Sequence, residues 1–210
     1  MARLFGLTRQ GIRVVEVLVD GFRAFFAARG EPVPRLTAIG TVPAPFDLLL
    51  DHGRTMTVTL AAAWRSTVGR RTLDEEMRDG RMSRTVVLVA ADTPVEFAHL
   101  RIDRTALPDG LEDAADAEPF GGWLARAGIE TRVKVQQLLR VDPTPGLCRL
   151  LGTRPDEVSA LYGRITALSG AGTRVFARSL EILSPAIPPA LDALRGPVER
   201  PVPAGSSRQV

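Results

Sequence analysis

The chain has 210 residues, 45% of them hydrophobic, enough to bury a sizeable core within one compact unit. Its formal net charge is +3 and its pI about 9.9, yet the basic residues, all arginine except Lys134, are scattered among acidic ones, which argues for a solvated mixed-charge surface and against a nucleic-acid footprint. Cys148 is the single cysteine, which excludes an intrachain disulfide, and two histidines without CxxC or HExxH spacing leave no metal site.

Ile12, Val15, Leu18, Val19, Phe22, Phe25 and Phe26 recur at helical spacing, with Gly30 and Pro32 as the stop. Arg13, Glu16, Asp20 and Arg23 interrupt this apolar run, so it is neither an export signal nor a membrane span. The helix is expected to pack on a sheet, in a soluble, cytoplasmic protein with no membrane partner. The segment from Glu31 to Pro45 holds four prolines and reads as an extended connector. FDLLLDHGRTMTVTLAAAW predicts a short apolar segment, a turn at Asp51-His52-Gly53 and a helix capped by Arg54 or Thr55. Leu73 to Arg81 runs from acidic to basic and ends at Asp79-Gly80, with no strand assigned.

Strand chemistry begins at Arg84. RTVVLVAA, a turn at Asp92-Thr93-Pro94 and VEFAHLRID predict a first hairpin. Leu107 to Glu118 is a polar, acidic surface segment, PFGGWLARAG a short helix closed by Gly128, and IETRVKVQQLLRV a strand. In that strand Ile129, Thr131, Val133 and Val135 share one face. GLCRLLG is a short helix ended by Gly152. VSALYGRITAL and TRVFARSLEIL, around the turn from Ser169 to Gly172, form a second hairpin. The resulting organisation is a helix and connector over 1–45, one domain over 46–195 and a disordered tail over 196–210.

Two side chains stand out against this frame. Arg84 heads a strand, Glu181 lies inside another, and each belongs to an apolar hairpin, so an antiparallel sheet brings them together over one pocket. Arginine's planar fork grips a carboxylate through two parallel charge-assisted bonds, and a glutamate among apolar residues holds a proton near neutrality and can donate it. Val175, Ala177, Ser179, Glu181 and Leu183 share a face of mostly small or apolar residues that leaves room for a ring. The same two residues equally fit a structural ion pair or solvated strand ends.

LLLDHGRTMT, SRTVVLV, VEFAHLRIDRTALP, EPFGGWL, GIETR and the closing hairpin to EILSP follow in the order found in chorismate lyase-like proteins, and the chain resembles a divergent member from about Phe46 to Pro185. LLGTRPDEVSALYGRI and the glycine turn also resemble the UTRA effector-binding domain of GntR-type repressors in the same superfamily. The first 45 residues offer one helix where those repressors carry a winged helix, which favours a stand-alone protein.

The resemblance implies an α+β fold, a six-stranded antiparallel sheet with helices on one face enclosing a ligand, and the release of pyruvate from chorismate to leave a hydroxybenzoate, without metal or organic cofactor. It places a carboxylate-binding arginine at Arg84 and the eliminating acid at Glu181, four residues before Pro185. Met56, Phe120 and Gly121 match positions whose backbone donors complete the pocket. His99 stands where the family carries a charged residue, and Ser179 takes the acid's position if the loop from Ser169 to Gly172 aligns differently. Three functions follow: a chorismate lyase-like enzyme acting on a small carboxylated substrate, a relative recruited to another cofactor-free cyclisation or elimination of a polyfunctional molecule in specialised metabolism, or a non-catalytic small-molecule-binding protein. None requires nucleic acid, and none specifies an oligomeric state.

Overall fold

In the computed structural model of the chain, residues 9–107, 118–170 and 174–194 are described. Seven strands among them form one antiparallel sheet: β1 (Leu36–Ile39), β2 (Val68–Arg78), β3 (Arg81–Ala90), β4 (Thr93–Asp103), β5 (Arg132–Val141), β6 (Leu161–Ser169) and β7 (Val175–Leu183), in the spatial order β1-β5-β6-β7-β4-β3-β2. The helices are α1 (Arg9–Ala27), α2 (Phe46–Leu50), α3 (Met56–Trp64), α4 (Phe120–Arg126) and α5 (Pro145–Leu150). No helix among the described residues is long and apolar enough to cross a membrane.

The expected α+β class and antiparallel sheet stand, with two refinements. Strands β1 and β2, both at sheet edges, were absent from the sequence assignment. Edge strands bury only part of their length, so β2 carries Arg70, Arg71, Asp74, Glu75, Glu76 and Arg78 and lacks the apolar alternation that marks a strand. It is tied to β3 by the tight turn Asp79-Gly80, whose φ values of 49° and 71° suit a two-residue hairpin. Helices also cover both faces of the sheet. The run RTVVLVAA carries that signal, because a strand buried on both sides is continuously apolar.

On one face Leu18, Phe22, Phe25 and Phe26 of α1 pack with Leu147 of α5 against Val87, Phe97, Leu139, Ile165, Leu180 and Ile182. The rings of Phe22, Phe25 and Phe26 all lie 5.7–5.8 Å from that of Phe97, at angles typical of tilted and edge-on aromatic pairs. The phenylalanine stripe read from the sequence therefore belongs to the core. The other face receives Leu49, Leu50, Met56, Leu60 and Ala63 from α2 and α3, and Phe120, Trp123 and Leu124 from α4.

Local details depart from expectation where backbone geometry outweighs composition. The β3–β4 turn is Ala91-Asp92, both at positive φ, and Pro94 lies within β4 opposite Val89 beside a bulge. A second bulge at Gln136 ends the simple alternation expected of β5. Gly128 and Gly152, at φ 68°, close α4 and α5 as predicted. The expected tail over 196–210 and most of the acidic segment from Leu107 to Glu118 fall outside the described residues.

Candidate ligand-binding site

Residues that face α3 and α4 from the centre of the sheet line a pocket. Arg84, Val86 and Leu88 come from β3, Glu96, Ala98 and Leu100 from β4, Thr166 and Leu168 from β6, and Ser179 and Glu181 from β7. The lid is the start of α3, Thr55 to Thr57, and the start of α4, Pro119 to Gly121. The two helix starts abut so closely that a Cβ on Gly121 would lie 2.9 Å from Thr55 Cβ, so only glycine permits the approach. The cavity holds about 40 Å³, room for about three water molecules.

Arg84 and Glu181 do face this one pocket. Arg84 is in register with Leu100 and, through it, Ser179, while Glu181 is in register with Ala98 and Val86. The two thus stand two strands apart, roughly 10 Å across the sheet. They do not pair with each other. Arg84, 1% exposed, donates from Nε to Glu75 of β2 at 2.5 Å. Glu181 accepts on Oε2 from Nε of Arg164 at 2.6 Å and on Oε1 from the Ser179 hydroxyl at 2.7 Å. The Ser179 hydroxyl also lies 2.7 Å from that of Thr166, so Ser179 and Glu181 are neighbours in one buried network rather than alternatives for one position.

Met56, Phe120 and Gly121 line the pocket where the sequence placed them. His99 requires correction. Ala98 and Leu100 face the pocket, so strand alternation turns His99 to the opposite side, where it lies 2.9 Å from the Thr85 hydroxyl and packs against Gly21 of α1.

Two residues that sequence reasoning passed over are central. Arg164, fully buried, donates to Glu181, to the carbonyls of Leu50 and His52 at 3.1 Å each, and to that of Arg54 at 3.2 Å. It thereby fixes the loop that delivers Met56 to the pocket. Burial and the adjacent Arg164 cation hold the His52 imidazole down at about 4, neutral at physiological pH. Glu96, 1% exposed, has no hydrogen-bond partner for its Oε2 among the described residues. Burial first, then the Glu181 carboxylate, raise its pKa well above the ordinary carboxylate range, against a smaller opposing pull from Arg164. Both residues were legible by the criterion that singled out Glu181: a lone charge within an apolar strand, YGRITAL or VEFAHL.

No family model matches the sequence, and neither does any curated protein. Solved structures similar to it include regulators of transcription and their domains. The effector domain of PhnF from Mycobacterium smegmatis superposes with a TM-score of 0.47 at 13% identity, covering 63% of this chain and 89% of its own. PhnF itself gives 0.48 at 15% identity, covering 86% and 82%. The C-terminal domain of the histidine utilization repressor from Pseudomonas syringae gives 0.40 at 16% identity, covering 56% and 92%. Against the expectations of a lyase, of an enzyme and of no part for nucleic acid, these neighbours are regulators of transcription or domains of them.

Proposed function

We propose that the chain is a non-catalytic small-molecule sensor whose pocket takes a small anionic ligand, and that occupancy is read out in the control of transcription, in the cytoplasm. The observation that carries this reading is the convergence of Arg84 with the starts of α3 and α4 on one pocket. First-turn backbone N–H groups lack intrahelical acceptors and, with the helix dipole, favour negative charge. The N-cap of α3, Thr55, makes no side-chain bond to those groups, which leaves the N–H groups at Met56 and Thr57 for a ligand. The guanidinium of Arg84, held at Nε by Glu75, adds positive charge to the wall of the same pocket. The regulators named above have the same kind of role, but the reading rests on the pocket.

Native mass spectrometry of the protein as purified, followed by calorimetric titration with short carboxylates and inorganic phosphate, tests it. Saturable binding that Arg84→Ala weakens at least about tenfold, the loss of one charge-assisted contact, is the expected result. Absence of a retained molecule together with affinities that Arg84→Ala leaves unchanged would sink the reading.

A further inference from the structure

On the α1 side of the sheet, opposite the pocket, we infer a second anion site, at which Arg101 and Arg178 grip a doubly charged tetrahedral oxyanion, a phosphate or sulfate group, between adjacent strands. Strand register brings the two guanidinium groups together. Arg101 of β4 stands directly opposite Arg178 of β7, and by alternation each shares the face of the residue two before or two after it, His99 and Leu180, which pack towards α1. Side chains directly opposite on antiparallel neighbours start about 5 Å apart, and like charges there repel. The row continues on both sides. Ser83 of β3 lies opposite Arg101, and Lys134 of β5 lies one strand beyond Arg178, across Ala167 of β6. Three cations and a hydroxyl thus share one level of one face.

Among the described residues, neither Arg101 nor Arg178 has a carboxylate within ion-pairing distance, and Nε of Arg178 is buried without a hydrogen-bond partner. The buried arginines of the opposite face differ: Arg84 holds Glu75 at 2.5 Å and Arg164 holds Glu181 at 2.6 Å. The acids nearest the row are engaged elsewhere or stand off its level. Glu76, one strand beyond Ser83, pairs with Arg78 at 3.4 Å, and Asp103, two residues along β4, pairs with Arg174 at 3.7 Å. Asp74 is level with Thr85 and His99 rather than with Arg101. On α1, Asp20 pairs with Arg23 at 3.3 Å and Glu16 is exposed. Both arginines of the pair are half-buried, and withdrawal from water lowers the Arg178 pKa from the ordinary arginine value. A guanidinium keeps its proton at any physiological pH, so a desolvated pair of them gains most from an anion supplied from outside. Two forks beside an ammonium match several oxygens and two negative charges better than the single charge of a carboxylate.

The test titrates inorganic phosphate and sulfate into the full chain at constant ionic strength, which removes the effect of general screening. Acetate and dimethyl phosphate serve as singly charged controls, the second standing for the diester of a nucleic-acid backbone. Backbone amide NMR follows the binding. Phosphate and sulfate are expected to move the signals of Ser83, Arg101 and Arg178 saturably, and both controls to bind there at least about tenfold more weakly. Arg178→Gln and Arg101→Gln, which alter half-buried side chains and leave the core intact, should each weaken phosphate at these signals at least about tenfold. Signals that stay still, a phosphate affinity that both variants leave unchanged, or controls that bind as tightly as phosphate would overturn the inference. Shifts confined to Met56 and Gly121 would support the pocket and overturn this site, whereas shifts at Arg101 and Arg178 alone would support this site and count against the pocket.

Discussion

Alternation along β4 divides two environments at single-residue spacing: Glu96, Ala98 and Leu100 face the pocket, Phe97 and His99 face α1. His99 is 3% exposed, its Nε2 has no partner among the described residues, and burial, with the neighbouring Arg101 charge, holds it down at about 4. A histidine depressed in the folded chain refuses the proton that the unfolded chain accepts. Stability is therefore complete above the ordinary value of 6.5 and declines as pH falls from there to about 4. The decline from this residue amounts to about 3 kcal/mol, at 1.36 kcal/mol for each unit of difference. Urea unfolding at pH 7 and pH 4 is expected to show that loss in the natural protein, added to a similar one from His52, and to show the total reduced by about 3 kcal/mol in His99→Gln, which keeps a partner for Thr85. An equal acid loss in the variant would assign the effect to other groups.

The pairing of β6 with β7 sets the position of Glu181, and Gly163 is where the two strands leave no room. A Cβ there would lie 2.2 Å from the backbone oxygen of Glu181 and 3.2 Å from Cα of Ile182, atoms that cannot swing aside as a side-chain tip does. Gly163→Ala is expected to cost about 3 kcal/mol, at the upper end of overpacking penalties, and to lengthen the Arg164–Glu181 contact because both residues flank the displaced backbone. Chemical denaturation measures the first, and loss of ligand binding by a variant that remains folded measures the second. Full stability in the variant would show that the strands tolerate separation here. The opposite edge illustrates a different balance. In β2 the turn Asp79-Gly80 and the ladder to β3 hold a strand together although its side chains are mostly exposed and charged.

The sheet separates two apolar layers, with α1 and α5 on one side and α2, α3 and α4 on the other. Both tryptophans, Trp64 and Trp123, pack on the pocket side, so their fluorescence reports that layer alone. Phe22, fully buried against Phe97, lies in the other layer. Because central strands such as β3 and β4 contribute side chains to both, the layers are expected to melt together. Phe22→Ala should destabilise by about 3–5 kcal/mol and lower the midpoint seen by tryptophan fluorescence by the same amount as that seen by circular dichroism. A shift confined to the helical signal would show that α1 unfolds alone.

Much of this arrangement was legible from local pattern. The α1 stripe, the strands bearing Arg84 and Glu181, the glycine stops at Gly128 and Gly152 and the helix starting near Thr55 each follow from periodicity or from a conformation that one residue type supplies, and such signals act within a few residues. The polar edge strand β2 and the partners chosen by each charge were not, because Arg84 has Glu75, and Glu181 has Arg164, only through strand register and burial. Local pattern and the family resemblance marked the chain as an α+β domain in which Arg84 and Glu181 face one cavity. Which charge met which, and on which side of the sheet His99 came to rest, were settled by the folded arrangement, since desolvation and pairing depend on distances that exist only once strands far apart in the chain lie side by side.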